Sequence, residues 1–420
     1  MKPFAAFILV IVLCFLFQSS LYSSSLTAKA LKDWNQDIDY LVSELPKNDP
    51  NIYDQISKNE FSKQVSILRK SLPRLANEDL PIEIAKLLAK AGDAHTFLPL
   101  DHAYAGLVPT NLNYHKFPLT LYWFNKDLCV TSTSKDYPFL LGLRLIKIEN
   151  TDIIDVTNRV NSLISHENAA RLKQWNPSYM TIPEVLKNVK IISSLDNARF
   201  TFRNSKNQIV QFIVKSKADN VRINWVDFYK PGIASPLYKK NNNLNYWCDY
   251  LADNRLLYFK YNKCFEISEN PFNELTKNIF NYIDTKRVDK LVIDLRNNIG
   301  GDSYIIEDLI KGLNQRPSIN KKGCIFVIIG RQTFSSGVTA AIELRKKTHA
   351  ILIGEPADNY KFGNVKLLIL PNSKLPLVYS TRKVPVLDKG MSIKPDINIE
   401  LNLSDYYQGQ DPIVNKILSF

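Results

Sequence analysis

The sequence predicts a protein of three parts: a helical N-terminal region, a small mixed module, and an α/β core whose largely parallel sheet is joined by crossover helices. Three observations lead to this fold class. Apolar residues recur at helical spacing from Leu31 to Ala91, short strand-like segments follow from Phe117 to about Val214, and apolar strands alternate with helices beyond Leu256. Such alternation favours parallel strands connected by helices.

The first 30 residues predict a signal peptide rather than a folded element. Lys2 gives a basic start, Phe4 to Phe17 form a short apolar run, and Ala28-Lys29-Ala30 provides the small residues that signal peptidase requires. We therefore expect the protein to be exported, either secreted or associated with the cell envelope. An apolar run of this length also leaves open an uncleaved N-terminal anchor.

The composition is that of a folded globular protein with an excess of basic residues. Of the 420 residues, 45% are hydrophobic and 23% are charged, and the net charge is +13. The basic residues are spread along the chain and accompany no nucleic-acid motif. We therefore expect no nucleic-acid partner, and a general affinity for anionic envelope surfaces instead.

The cysteines beyond the predicted signal peptide have neither the spacing of a metal site nor that of a disulfide framework. We expect them to fill apolar space, and the sequence indicates no metal and no organic cofactor. These cysteines are Cys129, Cys248, Cys264 and Cys324.

Residues 31–105 are predicted to form a helical region of three amphipathic helices. In the first helix, Trp34, Ile38 and Leu41 recur at the spacing of one helix face. The third helix is predicted to start near Asp79-Leu80-Pro81, where a proline suits the first turn.

Residues 106–225 are predicted to form the small mixed module. Leu119 to Trp123 and Cys129 to Thr131 resemble short strands, and Ile154 to Ile164 has a helical pattern. Asn204-Ser205-Lys206-Asn207 lies between two further strand-like segments, which is typical of a hairpin.

Residues 240–420 are predicted to form the α/β core, after a polar stretch at Asn241-Asn242-Asn243 that is typical of a linker. Strands and helices then alternate, and a hairpin follows them. The predicted strands are Leu256 to Tyr261, Leu291 to Leu295, Cys324 to Ile329 and Ile351 to Ile353, with Val365 to Leu370 and Leu375 to Tyr379 as the hairpin. The predicted helices are Pro271 to Lys286, Ser303 to Leu313 and Ser336 to Lys347.

Two strand-to-helix junctions in the core carry residues that are suited to catalysis. In one, Gly330-Arg331-Gln332-Thr333-Phe334-Ser335-Ser336-Gly337 follows an apolar strand, and such a turn holds a serine exposed where helix N–H groups face the atom it attacks. In the other, Leu291 to Gly301 ends in a glycine pair, and we expect an ion pair between Asp294 and Arg296 to hold its loop. The serine and the glycine pair indicate a nucleophile and an oxyanion hole.

Five motifs occur in an order and spacing that resemble those of a known family. They are Gly92-Asp93-Ala94-His95-Thr96, Asp294-Leu295-Arg296-Asn297-Asn298-Ile299-Gly300-Gly301, Thr333-Phe334-Ser335-Ser336-Gly337, Ile353-Gly354-Glu355-Pro356 and Lys394-Pro395-Asp396-Ile397. Together they resemble the motifs of the C-terminal processing, or tail-specific, serine peptidases, a family that includes the tricorn core protease. The resemblance covers most of the chain that follows the predicted signal peptide.

The resemblance implies a serine endopeptidase in which Ser335 is the nucleophile. The backbone N–H groups of Ser336 and of Gly300 or Gly301 would form the oxyanion hole, and losing one such donor typically costs ~3–4 kcal/mol in the transition state. The same residues also fit a structural role, because serines often cap helices and glycines form tight turns.

Two residues are candidates for the catalytic base. Many family members use a lysine shortly after the glutamate of Gly-Glu-Pro; here that position is Tyr360, and Lys361 follows it. In the tricorn-like branch a histidine at the position of His95 is the base, and the ordinary pKa of histidine suits that role. A third group would orient such a histidine, and Glu355 and Asp388 are both candidates.

The mixed module resembles the PDZ-like module of this family in part. Gly142 to Asn150 matches the strand and turn that follow the carboxylate-binding loop, whereas the loop near Tyr137-Pro138-Phe139 lacks the expected glycine pattern. In such modules a substrate C-terminus adds to a sheet as a strand. The sequence leaves open whether this module binds protein tails or only packs against the core.

The sequence thus predicts an exported serine endopeptidase that hydrolyses extended or C-terminal protein segments through an acyl-enzyme on Ser335. Its partners would be protein or peptide substrates, and no feature indicates an oligomeric state. The alternative is a catalytically impaired relative that binds peptides or envelope components, which the displaced Lys361 favours, as does Val338 at a position where the family often has glutamate. An esterase that uses the same serine is a third interpretation.

Overall fold

The computed structural model of the chain describes residues 26–101, 111–358, 362–384 and 393–420. The predicted signal peptide lies outside the described residues up to position 25, and its predicted cleavage segment, Ala28 to Ala30, forms the first turn of a helix. No helix in the described ranges combines the length and the apolar character needed to cross a bilayer.

Helices and sheets alternate in the described residues, so the predicted mixed α/β fold class is confirmed. The helices are α1 (Ala28–Asn48), α2 (Lys58–Ser71), α3 (Asp79–Ala89), α4 (Ile153–Asn161), α5 (Ala169–Tyr179), α6 (Pro183–Asn188), α7 (Phe272–Thr285), α8 (Glu307–Asn314), α9 (Ser336–Lys347), α10 (Leu403–Tyr407) and α11 (Pro412–Leu418).

The strands form three sheets. They are β1 (Leu119–Phe124), β2 (Asp127–Ser134), β3 (Arg144–Ile148), β4 (Thr151–Asp152), β5 (Asn197–Arg203), β6 (Ile209–Lys215), β7 (Trp225–Asp227), β8 (Tyr246–Leu251), β9 (Leu256–Tyr261), β10 (Lys290–Asp294), β11 (Ile325–Ile329), β12 (Ile351–Gly354), β13 (Phe362–Ile369), β14 (Pro376–Lys383) and β15 (Ile397–Asn398).

The N-terminal residues fold into α1, α2 and α3, and the apolar residues at helical spacing are buried. Trp34, Ile38 and Leu41 of α1 lie in one hydrophobic cluster with residues of the module that follows. Side chains cap the starts of α1 and α2, because Thr27 and Ser57 each accept a hydrogen bond from a backbone N–H of the first turn.

The module is built on an antiparallel sheet. Its strands run in the order β1-β2-β3-β5-β6, with β4 beside β3 and β7 beside β2. The predicted hairpin is present between β5 and β6, and Asn207 in its turn has a φ of 64°, which asparagine tolerates well.

The core is a sheet in the order β15-β12-β11-β10-β9-β8. All of its pairings are parallel except that of β8 with β9. The carboxyl ends of adjacent parallel strands meet at one edge of a sheet, so the segments that follow β10 and β11 lie side by side.

Both faces of the core sheet are covered. On one face Leu291 and Val327 pack with residues of α7, α8 and α9, and on the other Val292 and Ile328 pack with residues of α11. Because successive residues of a strand point to opposite faces, strands that are buried on both faces have continuous apolar sequences. This burial explains the apolar runs from which the strands were predicted.

The hairpin β13–β14 connects the core to the N-terminal region. Phe97 exchanges two backbone hydrogen bonds with Val378 of β14, at 3.0 and 2.9 Å. At the tip of the hairpin, the carboxylate of Asp37 in α1 accepts hydrogen bonds from the backbone N–H groups of Asn372 and Ser373, each at 2.8 Å. The hairpin therefore belongs to the core by sequence and packs on the helical region.

Several elements differ from the prediction. α5 and α6 have no predicted counterpart, and α8 begins at Glu307 rather than at Ser303. The cysteines of the described residues are free.

Candidate active site

Ser335 lies at the turn between β11 and α9, where it is the N-cap residue of the helix. Its backbone has φ 52° and ψ −125°, a conformation that residues other than glycine rarely adopt. The side chain of Ser335 is half-buried, and Ser336 behind it is buried. The turn thus presents Ser335 at the start of a helix whose first N–H groups have no partner inside the helix.

The glycine loop after β10 touches this turn directly. A Cβ atom at Gly300, whose φ is +99°, would lie 2.6 Å from the Cβ of Ser335 and 3.0 Å from the backbone nitrogen of Ser336. A Cβ atom at Gly301, whose φ is +133°, would lie 2.3 Å from the carbonyl oxygen of Cys264. Both positions therefore require glycine.

The backbone N–H groups near Ser335 differ in their partners. That of Gly300 donates to Asn298 Oδ1 at 2.8 Å. Those of Ser336 and Gly301 donate to no acceptor among the described residues. The hydroxyl of Ser336 ties the two turns together, since it donates to the Gly301 carbonyl at 2.6 Å.

Asn298 joins the glycine loop after β10 to the turn that carries Ser335. The sequence pattern does not indicate this role. Its side chain donates to the carbonyl of Tyr261 at 2.9 Å and accepts from Gly300, while its own carbonyl accepts from the N–H of Phe334 at 2.8 Å. Gly337 leaves space for it, because a Cβ atom there would lie 2.7 Å from Asn298 Oδ1.

A buried ionic network lies beside the glycine loop and holds its residues in place. The predicted ion pair is present, with Arg296 Nε 3.0 Å from Asp294 Oδ2, and Arg296 Nη2 lies 2.8 Å from Asp411 Oδ2. Lys260, which is fully buried, lies 3.3 Å from Asp294 Oδ1 and donates to Asn297 Oδ1 at 2.8 Å. Burial lowers the pKa of Lys260 to about 8, so the pair is ionised at neutral pH.

His95 comes from the N-terminal region and lies against the turn that carries Ser335. Its imidazole stacks on the ring of Phe334, with 4.2 Å between the ring centroids and 23° between the ring planes. His95 is 3% exposed. The residue next to the serine in the chain therefore provides the surface on which the candidate base rests.

Asp93 holds the backbone beside His95 in place. Its carboxylate accepts hydrogen bonds from the N–H of His95 and from the hydroxyls of Thr96 and Ser380, each at 2.7 Å. Burial raises the pKa of Asp93 to about 6. Because Ser380 belongs to β14, this carboxylate links the histidine segment to the hairpin.

Arg171 of α5 sets the electrostatic surroundings of His95. It donates to the carbonyl of Ala94 at 3.1 Å, lies 3.6 Å from the carboxylate of Asp358, and its guanidinium carbon lies 4.2 Å from the centre of the Phe334 ring. Burial, together with the positive charge of Arg171, lowers the pKa of His95 to about 3. The imidazole is therefore neutral at neutral pH and can accept a proton.

One cavity of about 640 Å³ collects these groups. Its walls come from all three parts of the chain: His95 from the helical region, Arg171 from the module, and Ser335 with Gly300 and Gly301 from the core. The predicted nucleophile, the predicted histidine and the predicted oxyanion residues, including Ser336, thus meet at one place.

Two predicted residues, Lys361 and Asp388, lie outside the described residues. Glu355, the other residue considered for orienting His95, is engaged elsewhere, since its carboxylate lies 2.6 Å from Arg331 Nε. A ring nitrogen of His95 and carboxylate oxygens of Asp93 and Glu167 lie within 4.8 Å of one another, which is the one grouping with metal-ligand chemistry in the described ranges.

Solved structures of proteases share this fold. Mature CPAF complexed with lactacystin matches with a TM-score of 0.64 and 13% identity, over 92% of this chain and 98% of that chain. Mature CPAF alone matches with a TM-score of 0.64 and 12% identity, over 92% of this chain and 96% of that chain. The tricorn protease matches with a TM-score of 0.45 and 13% identity, over 93% of this chain and 36% of that chain.

No protein-family model and no curated protein sequence matches the chain. The resemblance to the C-terminal processing peptidase family that the motifs predict is confirmed as a likeness of fold.

Proposed function

We propose that this protein is an exported serine endopeptidase that hydrolyses peptide bonds in extended or C-terminal segments of proteins through an acyl-enzyme on Ser335. The observation that carries the proposal is the position of Ser335, which has a strained backbone at a helix start, in the same cavity as a buried, neutral His95. The likeness of fold to proteases supports it, and the basic balance of the chain supports an association with anionic envelope surfaces.

In the proposed reaction, Ser335 Oγ attacks the substrate carbonyl carbon while its proton passes to His95. The carbonyl oxygen becomes an anion, which the N–H groups of Ser336 and Gly301 stabilise. The C–N bond then breaks, and His95 returns the proton to the leaving amine. A water molecule repeats the sequence on the acyl-enzyme, using the same base, and frees Ser335.

The carboxylates near His95 would stabilise its protonated imidazole in this reaction. When the imidazole takes up a proton, a nearby negative charge stabilises it. Glu167 and Asp93 lie close enough to do so, with oxygens within 4.8 Å of a ring nitrogen of His95. We assign this supporting role to Glu167, because the Asp93 carboxylate already binds three donors.

A catalytically impaired protein that binds peptides is the second candidate, and one observation favours it. Burial lowers the pKa of His95 to about 3, and a base is most effective when its pKa lies near the working pH. A binding protein would keep the cavity and the fold but would not turn over substrate.

The test is digestion of an unfolded protein by the mature chain, read by mass spectrometry, together with labelling by a fluorophosphonate. Wild type should cleave the protein and take up the label on Ser335. Ser335→Ala should do neither, while Ser268→Ala, at an exposed serine, should behave as wild type. His95→Ala and Lys361→Ala identify the base, because losing it should lower the rate by a factor of about 10² or more.

If wild type and Ser335→Ala are equally inert toward both reagents, the endopeptidase proposal is wrong and the peptide-binding candidate replaces it. If Ser335 is labelled and small esters are hydrolysed but no protein is cleaved, the esterase interpretation is the correct one.

A further inference from the structure

Among the described residues, strand β13 is paired on one side only. β14 pairs with it, and no other strand of the described residues pairs with its opposite edge. β14 itself is paired on both sides, because Phe97 exchanges backbone hydrogen bonds with Val378. A row of backbone groups is thus left along the outer edge of β13, and such an edge is a template for another strand.

The register shows which backbone groups face outward. The N–H and C=O of Val378 both bind Phe97, so they point away from β13. Leu367 lies opposite Val378. Leu367 and Val378 are therefore a non-hydrogen-bonded pair, in which the two residues point their backbone groups away from each other. The N–H and C=O of Leu367 thus face the free edge of β13.

Val365, two residues before Leu367, has the same backbone orientation. Ser380 lies opposite Val365, and the N–H of Ser380 points away from β13 toward the hydroxyl of Thr96, at 3.2 Å. The backbone groups of Val365 therefore also face outward. Together, Val365 and Leu367 offer two donors and two acceptors in the arrangement that an added strand needs.

This edge borders the cavity that contains Ser335. Consecutive residues of β13, from Gly363 to Leu367, line the cavity, whereas β14 contributes only Val378 and Arg382, which are four positions apart on one face of the strand. If only one face of β13 met the cavity, only every second residue of the strand would line it, because side chains alternate between the two faces. The cavity therefore meets the strand along its edge.

The side chains on the edge are suited to a peptide. Val365, Leu367 and Ile369 are 52%, 46% and 45% exposed, and they share one face of the strand because side chains alternate along it. Edge strands of soluble proteins usually carry charges that prevent pairing. The charged residue of β13 is Lys366, which is exposed on the opposite face of the strand. An exposed apolar stripe beside a cavity instead indicates a surface that is covered during function.

We propose that an extended segment of the substrate protein adds to the free edge of β13 as a further strand, with its backbone bound by Val365 and Leu367 and its apolar side chains on the exposed stripe. The occupant is the substrate because the edge is continuous with the cavity of Ser335. This inference rests on the proposed function, since it names how substrate reaches Ser335.

The experiment measures binding of fluorescein-labelled β-casein, an unfolded protein, to Ser335→Ala by fluorescence anisotropy. Leu367→Pro removes the outward N–H, and proline is tolerated on an edge strand where that N–H faces away from the partner. It should weaken binding by about 10-fold, the equivalent of one backbone hydrogen bond. Leu367→Ala keeps the N–H and should weaken binding by less than Leu367→Pro does.

A second measurement does not depend on the proline variant folding. Hydrogen exchange of the Leu367 and Val365 amides in Ser335→Ala should slow when β-casein is added. The amide of Leu368, which lies opposite Leu377 and faces β14, should exchange slowly with and without it.

Equal affinities for Leu367→Pro and Leu367→Ala, or no change in exchange at Leu367, would overturn the proposal. It is also overturned if sedimentation shows a dimer that Leu367→Pro dissociates and β-casein does not, because the edge then binds a second copy. If a strand adds to β13 but wild type cleaves no protein, only the endopeptidase proposal is contradicted. If wild type cleaves protein but no strand adds to β13, only the strand-addition proposal is contradicted.

Discussion

At the scale of single residues, Ser335 has an unfavourable backbone conformation that catalysis would explain. Its φ of 52° and ψ of −125° cost a residue with a Cβ atom about 1–3 kcal/mol. The neighbouring contacts maintain this conformation, because Gly300 packs against Ser335 and Asn298 binds the N–H of Phe334. The protein is therefore expected to be more stable with glycine at this position.

We predict that Ser335→Gly raises the free energy of unfolding by about 1 kcal/mol relative to Ser335→Ala, since glycine relieves the strain and alanine retains it. Urea unfolding of the two variants measures the difference. Both variants lack the hydroxyl, so its loss cancels in the comparison. If Ser335→Ala is as stable as Ser335→Gly, the turn is not strained.

The buried imidazole of His95 makes stability depend on pH. Its pKa is lowered from an ordinary value near 6.5 to about 3 in the folded protein. Between these pH values the unfolded chain binds a proton that the folded chain does not, so the free energy of unfolding falls as the pH is lowered. Asp93, whose pKa is raised to about 6, acts in the opposite direction above pH 3.8 and masks part of this fall.

We predict that His95→Gln removes the contribution of His95, which amounts to at most ~1.4 kcal/mol for each pH unit. Denaturant unfolding of wild type and His95→Gln at pH 7, 5 and 4 gives the difference. His349→Gln, at an exposed histidine, is the matched control for the loss of an imidazole. A constant difference between wild type and His95→Gln across this range would contradict the lowered pKa.

At the scale of elements, the core strands could be predicted because burial on both faces leaves a physical signature in the sequence. β10 and β11 have continuous apolar side chains, and the small-residue turns that follow them mark where each strand ends. α5 has no comparable signature. Pro177 lies inside it, its buried residues include Arg171 and Asn176, and its apolar periodicity is weak.

In the candidate site, too, some residues have a local sequence signature and others do not. Ser335 and the glycine pair are apparent from local sequence, because the turns themselves demand small residues with unusual backbone angles. The roles of Asn298, Arg171 and Phe334 depend on contacts between segments that are distant in the chain. No local pattern records such contacts, so the sequence alone could not place them beside Ser335.

The ionic network beneath the glycine loop leads to a prediction at the scale of elements. Lys260 on β9 and Asp294 on β10 are both fully buried, so removing the lysine leaves the buried network of Asp294, Arg296 and Asp411 with one uncompensated negative charge. We predict that Lys260→Met lowers the free energy of unfolding by about 3 kcal/mol or more. Lys277→Met on α7, which breaks an exposed ion pair, should cost less than about 1 kcal/mol.

Thermal and urea unfolding of both variants check this prediction. Equal stabilities of Lys260→Met and Lys277→Met would show that Arg296, together with the Tyr258 hydroxyl, which donates a hydrogen bond to Asp294, compensates this carboxylate without the lysine.

At the scale of the whole molecule, the site is shared between three parts of the chain, and Arg171 connects them. From α5 it binds the backbone beside His95, an aspartate of the core and the ring of Phe334. In the proposed reaction it would act by positioning the histidine segment and by lowering the pKa of His95.

We predict that Arg171→Met lowers kcat/KM at neutral pH by about 10-fold or more, because a misplaced base is costly to the rate. It should also move the acid limb of the pH–rate profile to higher pH, since a positive charge near His95 is removed. Lys173→Met, on the same helix and in a half-buried pair with Glu400, should leave that limb unchanged. An unmoved limb in Arg171→Met would leave only a structural role for this residue.

The assembly of the site from distant segments has a consequence for biosynthesis. His95 is made early and Ser335 late, and the hairpin β13–β14, which packs on the helical region through Phe97 and Asp37, is made after both. A growing polypeptide therefore holds no assembled site until the last of these segments has been synthesised.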